Sequence, residues 1–285
     1  MNLQWFPGHM AKTRRIMSES LVITDIVAEL VDARLPLSSR NPEIDKILQN
    51  KPRILLMNKS DTADGNINRE WIDYFKKQGI YALEVSATTG KGINQIASYA
   101  KMALQEKIQR DKQRGINRAV KIMMCGIPNV GKSSVINRIA GKTKAKTADR
   151  PGVTRGKQWI RLDNGVELLD MPGILWPKFE NEDVALKLAY TGAIKDTIMD
   201  VEELACRLIG LLKTHYADRL ANRYKLLEMD KPDYEILSDI ARARGFLLSK
   251  GEYDTLRAAN ILLDEFRGQK LGAISLERPT DFNME

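Results

Sequence analysis

The sequence predicts an α/β domain built on a mostly parallel sheet, followed by an all-helical carboxy-terminal domain. Three observations carry this. Apolar runs of strand length recur between residues 25 and 169, helical periodicity fills several of the intervals between them, and strand-like alternation of comparable quality stops after Trp176. Strands that alternate with helices are covered on both faces, which is the setting for parallel pairing.

The elements follow in order. Residues 1–20 join the segment Trp5–His9 to a short basic helix. Strand runs lie at 25–31, 53–57, 81–85, 120–125, 157–162 and 165–169, each followed by polar turn residues. Helical periodicity lies at about 42–50, 68–78, 92–113 and 132–140. The charged stretch 106–118 reads as the end of a long helix running into a connector near Gly115. Beyond Trp176, Asp200 and Glu203 form a capping pair for a helix whose apolar face is Val201, Leu204, Ala205, Leu208, Leu211 and Leu212. Further faces are Tyr216, Leu220, Tyr224 and Leu227, then Leu237, Ile240 and Ala241, then Leu256, Ala259, Leu263 and Phe266. The expected domains are 1–177, with an amino-terminal extension 1–20, and 178–285.

Composition sets outer limits. Of 285 residues, 43% are hydrophobic and 29% charged, ordinary values for a soluble globular protein. No apolar run approaches the ~20 residues of a membrane span, and the amino terminus lacks the layout of a secretory signal. Cys125 and Cys206 offer neither a disulfide framework nor metal spacing, and read as buried free thiols in a reducing cytosol. The expected location is cytoplasmic. The net charge of +8 divides unevenly: the first 177 residues carry 29 basic against 17 acidic groups, and the remainder 16 against 20. Residues 138–161 hold Arg138, Lys142, Lys144, Lys146, Arg150, Arg155, Lys157 and Arg161 against Asp149 alone, and residues 101–121 hold seven basic groups against two acidic. Such clusters favour a polyanion over a merely solvated surface.

The chemistry begins at Gly126-Ile127-Pro128-Asn129-Val130-Gly131-Lys132-Ser133, which follows one strand and opens a helix with Ser134 next in line. That is a phosphate-binding loop in its required context. Its glycines let the backbone wrap phosphates, and amides at the helix start point at the anion. Lys132 reaches the β- and γ-phosphates, while the Ser133 hydroxyl suits magnesium. Asp170-Met171-Pro172-Gly173 ends another strand, where a carboxylate can hold magnesium through water and the Gly173 amide can meet the γ-phosphate. Between them, Thr154 offers a second magnesium ligand in a polar loop. Asn58-Lys59-Ser60-Asp61 follows a strand, and a carboxylate at Asp61 accepts both N1–H and the 2-amino group of guanine. Adenine supplies neither, and would leave Asp61 unpaired. Ser86-Ala87-Thr88 follows the next strand and offers an amide to the guanine oxygen.

These motifs are similar to those of the translation-factor-related GTPases, but in a different order. Here the guanine motifs precede the phosphate-binding loop and both switches. With Trp5-Phe6-Pro7-Gly8-His9-Met10, Asp32-Ala33-Arg34, Pro36 and Gly173-Ile174-Leu175-Trp176-Pro177, the chain resembles the circularly permuted ribosome biogenesis GTPase A (YlqF-type) family over nearly its whole length. The fold this implies is a P-loop GTPase domain in permuted order plus a helical domain, with the second switch running directly into the latter. The resemblance implies a GTPase using GTP/GDP and Mg2+. It would bind the immature 50S subunit, including 23S rRNA and ribosomal proteins, promote a late assembly step and leave after hydrolysis, with no DNA or membrane partner. It also implies that His9 supplies the water-orienting role, because Ile174 stands where Ras-like enzymes carry glutamine. The same histidine could instead contact rRNA or pack locally. Asn129 resembles the potassium-coordinating asparagine of cation-activated GTPases, or it fills a tight turn. Two other functions stay open at this point: an RNA-binding scaffold with structural nucleotide, and a GTPase acting on a different target.

Overall fold

The computed structural model describes residues 7–48, 51–142, 158–162, 165–173, 181–194, 200–249 and 251–282. The chain divides into two compact units, 1–179 with 277–285, and 180–276.

Among the described residues the first unit is built on six strands: β1 (Ile26–Asp32), β2 (Arg53–Asn58), β3 (Tyr81–Glu84), β4 (Val120–Gly126), β5 (Gln158–Leu162) and β6 (Val166–Asp170). Their spatial order is β3-β2-β1-β4-β6-β5. All neighbours pair parallel except β5 and β6, which are antiparallel. β1 is buried along its full length because helices cover both its faces. On one face, α1 (Pro7–Ile23) and α2 (Pro42–Leu48) place Met17, Leu21, Ile44 and Leu48 over Val27, Met123, Cys125 and Leu169. There too, α3 (Gly65–Lys77) packs Ile67, Trp71 and Phe75 on Val31, Leu55 and Met57. Asp64 caps its start by accepting from the Asn66 amide at 2.9 Å, satisfying one of the donors a helix start leaves open. α4 (Ile96–Ala103) packs on β2 and β3, and α6 (Lys132–Lys142) on β4.

Parallel pairing brings the carboxyl ends of β1, β2, β3, β4 and β6 to one edge of the sheet. The turns that follow Asp32, Asn58, Glu84, Gly126 and Asp170 therefore gather there, whatever their order along the chain.

The periodic stretch 92–113 is not one helix. It forms a 3₁₀ turn at Ile93–Gln95, then α4, a break at Leu104 (φ −108°, ψ 14°), and α5 (Gln105–Gln113). α4 buries Ile96 and Ala100, whereas α5 has no apolar face to hold it to the sheet and buries nothing.

The second unit contains α7 (Glu182–Tyr190), α8 (Val201–Tyr224), α9 (Asp233–Ala243) and α10 (Thr255–Arg267), with α8, α9 and α10 in mutual contact. Asp200 caps α8 by accepting from the Glu203 amide at 2.9 Å. Leu227, expected on an apolar face, is fully exposed because α8 stops at Tyr224 and Lys225 takes a left-handed cap (φ 58°). Leu256 and, partly, Cys206 are also exposed rather than buried.

The expected domain 178–285 loses its last residues to the first unit. Glu277 is fully buried, and its carboxylate accepts from the Leu37 amide at 3.0 Å, the Ser38 amide at 3.2 Å and the Ser38 hydroxyl. Its carbonyl accepts from Trp71 Nε1 at 3.2 Å, and the Phe282 ring lies 5.9 Å from that of Trp71. The tail thus fastens the turn after β1 to α3.

Candidate nucleotide site

The loop between β4 and α6 needs two left-handed residues to turn so tightly, Asn129 (φ 58°) and Gly131 (φ 90°). A Cβ at Gly131 would lie 2.4 Å from Asn58 Nδ2, so glycine is required there on space as well as conformation. A cleft of about 590 Å³ opens over this turn, lined by Pro128, Asn129, Lys132, Ser133, Ser134 and Gly173. Lys132 Nζ lies 2.6 Å from Asp170 Oδ1, with the side chains 7% and 9% exposed. The segment 171–173 runs against the loop, since a Cβ on Gly173 would meet the Pro128 nitrogen at 3.0 Å. Asn129, Lys132, Ser133 and Gly173 thus line one cleft, and Asp170 contacts Lys132 beside it.

The donor set suits a hard cation. A hydroxyl at Ser133 and a carboxylate at Asp170 are oxygen ligands of the kind magnesium takes. Among the described residues no group of three His, Cys, Asp or Glu side chains could hold a metal alone. Thr154 and Ile174 lie outside the described residues. His9 belongs to the first turn of α1, and its side chain lies outside them too.

The guanine-side motifs meet the phosphate-side motifs through Asn58. Its Nδ2 donates to the Val130 carbonyl at 2.8 Å, and its Oδ1 accepts from the Ala87 amide at 3.3 Å. One buried side chain therefore ties together the turns after β2, β3 and β4. Ser86, itself buried, accepts from the Thr89 amide at 3.0 Å through its hydroxyl and so shapes the turn that presents Ala87. Ser60 is buried, its amide donating to the Val85 carbonyl at 3.2 Å. Asp61 is only partly buried, at the outer end of the motif.

Sequence reasoning missed the brace behind Lys59. That residue is left-handed (φ 60°), and its ammonium lies 3.1 Å from Asp32 Oδ2. Asp32 in turn is gripped by Arg34 through Nε at 2.9 Å, Nη2 at 2.7 Å and the amide at 3.1 Å. Burial pushes the Asp32 carboxyl up, but Arg34 and Lys59 outweigh it and hold it well below the usual carboxylate range. The Asp32-Ala33-Arg34 segment, noticed only for its resemblance, thus fixes a lysine of the guanine motif. The available clue was that β1 ends on the same edge as the other motif-bearing strands.

A profile described as "50S ribosome-binding GTPase" matches residues 121–233. The protein named Ribosome biogenesis GTPase A of Priestia megaterium is 51% identical over 99% of this chain and 98% of its own length. This chain belongs to the ribosome biogenesis GTPase A family. The Thermotoga maritima relative of the same name is 32% identical over 98% of this chain and 95% of its own. The structure of GDP-bound T. maritima YlqF resembles this one over 93% of the chain and 99% of that chain, at TM-score 0.67 and 29% identity. The GNP-bound form does so over 95% and 100%, at TM-score 0.66 and 28% identity. As a member of the ribosome biogenesis GTPase A family, the chain is a GTP-hydrolysing enzyme of ribosome biogenesis.

Two charge features bear on this family's work. Most of the basic cluster 138–161 lies outside the described residues. Within them, Arg138 is exposed on α6, and Arg161 pairs with Glu167 at 2.9 Å. In the second unit, Arg242 pairs with Asp239 at 2.8 Å and Arg244 with Glu265 at 2.8 Å. Cys125, directly before the phosphate-binding loop, is fully buried, and burial pushes its thiol up, away from the thiolate form.

Proposed function

We propose that the chain is a GTP-driven switch that binds the immature large ribosomal subunit, promotes a late step of its assembly, and leaves after hydrolysis. The observation that carries this is the meeting of Lys132, Ser133 and Gly173 around one cleft, with Asp170 against Lys132 beside it, tied by Asn58 to the guanine-side turns.

On this reading Lys132 exchanges its contact with Asp170 for the β- and γ-phosphates, and the amides of Asn129, Val130, Gly131 and Ser134 line the phosphate path. Ser133, Asp170 and Thr154 hold magnesium, whose charge offsets that developing on the phosphate oxygens. Gly173 donates its amide to the γ-phosphate, so hydrolysis releases the segment that leads into the second unit. Asp61 reads guanine, Lys59 is held in place for it by Asp32, and Ser86 and Ala87 form the turn that meets the guanine oxygen. Asn129, at the rim of the cleft, offers its carbonyl to potassium, which would supply part of what an arginine finger does. His9 orients the attacking water on the particle, since Ile174 can neither donate nor accept. The expected partners are 23S rRNA and ribosomal proteins of the precursor particle, in the cytoplasm. No described helix is long and apolar enough to cross a membrane.

The test is GTP turnover with and without purified precursor large subunits. A raised rate, with co-sedimentation in GTP but not GDP, supports the switch. Binding that ignores the nucleotide, with an unchanged rate, would instead favour a scaffold in which nucleotide is structural.

A further inference from the structure

α5 stands out from the other helices of its unit because it buries no side chain. It is held by charge instead. Asp25, buried just before β1, accepts from Lys107 of α5 at 2.7 Å, from both terminal nitrogens of Arg118 at 2.7 Å, and from the Lys121 amide at 2.9 Å. One carboxylate therefore fixes two cations that remain about four-tenths exposed.

The cluster lies where Asp25, Val120 and Gly165 precede or begin their strands, the edge opposite to Lys132 and Asp170. β4 is seven residues long, so about 23 Å of strand separates the two edges. Between α5 and the strand starts lies a cleft of about 250 Å³, lined by Lys101, Lys107, Lys112 and Arg118 together with Asp25 and Asp111. Arg110, Lys112 and Arg114 are exposed beside it. Lys51, before β2, belongs to the same field: burial and the neighbouring Lys107 push its ammonium down. α5 carries Lys107, Arg110 and Lys112 with Glu106 and Asp111, and Lys101, Arg114, Arg118 and Lys121 beside it bring residues 101–121 to seven basic groups against two acidic ones. Asp25 and Asp111 offset Lys107 and Arg118, and the exposed Arg110, Lys112 and Arg114 extend the basic field along the connector.

We propose that α5 and the connector 114–118 form a docking surface for the phosphodiester backbone of RNA, on the edge of the sheet opposite the nucleotide. Arg110, Lys112 and Arg114 contact phosphates there, while Asp25 pre-orients Lys107 and Arg118 towards the same strand. The proposal rests on the reading that the partner is the large ribosomal subunit. RNA is favoured over an acidic protein because the exposed cations run along a helix and its connector, a layout suited to the regular charge spacing of a backbone. The nucleotide site stays free for its own anion.

The test compares the full-length wild type with the triple variant Arg110→Gln, Lys112→Gln, Arg114→Gln, using protein-free large-subunit ribosomal RNA and intact precursor particles as probes. None of these residues belongs to the nucleotide site, so GTP affinity, basal turnover and circular dichroism should match wild type. The log–log salt dependence of RNA affinity should become shallower by about 2–3 for three lost phosphate contacts. The charge-preserving variant Arg110→Lys, Arg114→Lys should keep the wild-type slope. An unchanged slope and affinity in the triple variant overturns the surface while leaving the ribosomal reading intact. Loss of particle binding with full retention of RNA binding overturns it too, assigning the face to a ribosomal protein. If wild type binds neither RNA nor particles, the functional reading fails first and this inference with it.

Discussion

Lys132 Nζ and Asp170 Oδ1 are 2.6 Å apart, and both side chains are more than nine-tenths buried. The pair joins the start of α6 to the end of β6, so the residue proposed to hold phosphate and the one proposed to hold magnesium neutralise each other. Removing one partner takes from the other the opposite charge that offsets its burial. Lys132→Ala should therefore lose turnover and about 3–5 kcal/mol of stability in nucleotide-free protein. Ser133→Ala should lose turnover alone, because the pair survives. Thermal unfolding without nucleotide separates the two; a wild-type midpoint for Lys132→Ala would show that the ion pair is not maintained in solution.

Asp61→Asn should shift base preference from guanine towards xanthine, because the amide presents a donor where the carboxylate accepted. Lys59 is braced by Asp32 at 3.1 Å, an ion pair that the substitution does not remove. The change should therefore appear as an exchange of affinities between GTP and XTP. Unaltered GTP binding with no gain for XTP would remove Asp61 from base recognition.

Much of this site could be read from the sequence, and the reason is local. The phosphate-binding loop, Asp170–Gly173, Asn58–Asp61 and Ser86–Ala87 are contiguous motifs at the ends of apolar runs, and all six runs became strands with ends shifted by about one residue. What escaped notice depends on contacts between distant positions. Asp32 meets Lys59, Asn58 meets Val130, and Glu277 meets Ser38, and no periodicity marks such pairs. The break at Leu104 was hidden because the apolar positions on either side continue a helical spacing, although only those of α4 face the sheet. Leu227 was misplaced because it continues the spacing of α8 beyond the left-handed cap at Lys225.

Acid should act on the first unit through Asp25. Burial pushes its carboxyl up, but hydrogen bonds from Arg118, Lys107 and the Lys121 amide outweigh that and hold it well below its ordinary value of 3.8. A carboxylate depressed in the folded state adds stability that is present above the unfolded value and lost as pH falls towards the folded one. The wild type should thus lose stability progressively below about pH 4. Asp25→Asn should cost about 1.5–3 kcal/mol at neutral pH and flatten the acid limb. Urea unfolding from pH 7 down to pH 3 checks both; an acid limb as steep in the variant as in wild type would assign the acid sensitivity to other carboxylates, Asp32 first.

His9→Ala should lower particle-stimulated hydrolysis far more than it lowers GTP affinity. Ile174 leaves no polar side chain at the position from which Ras-like enzymes orient water. A lysine, an arginine or a potassium ion offers positive charge but cannot accept a hydrogen bond from the attacking water. A neutral imidazole can. The chain holds only two histidines, and His215 lies in α8 of the second unit, exposed beside Tyr216. His9 is in the first turn of α1, directly after Pro7-Gly8. A contact made only in the transition state lowers turnover and leaves ground-state binding nearly untouched. Single-turnover rates with saturating precursor particles, set beside GTP affinities measured without them, resolve the two effects. Full stimulated turnover in the variant would mean that the particle or a backbone group orients the water. Parallel loss of particle binding and turnover would make His9 an rRNA contact instead.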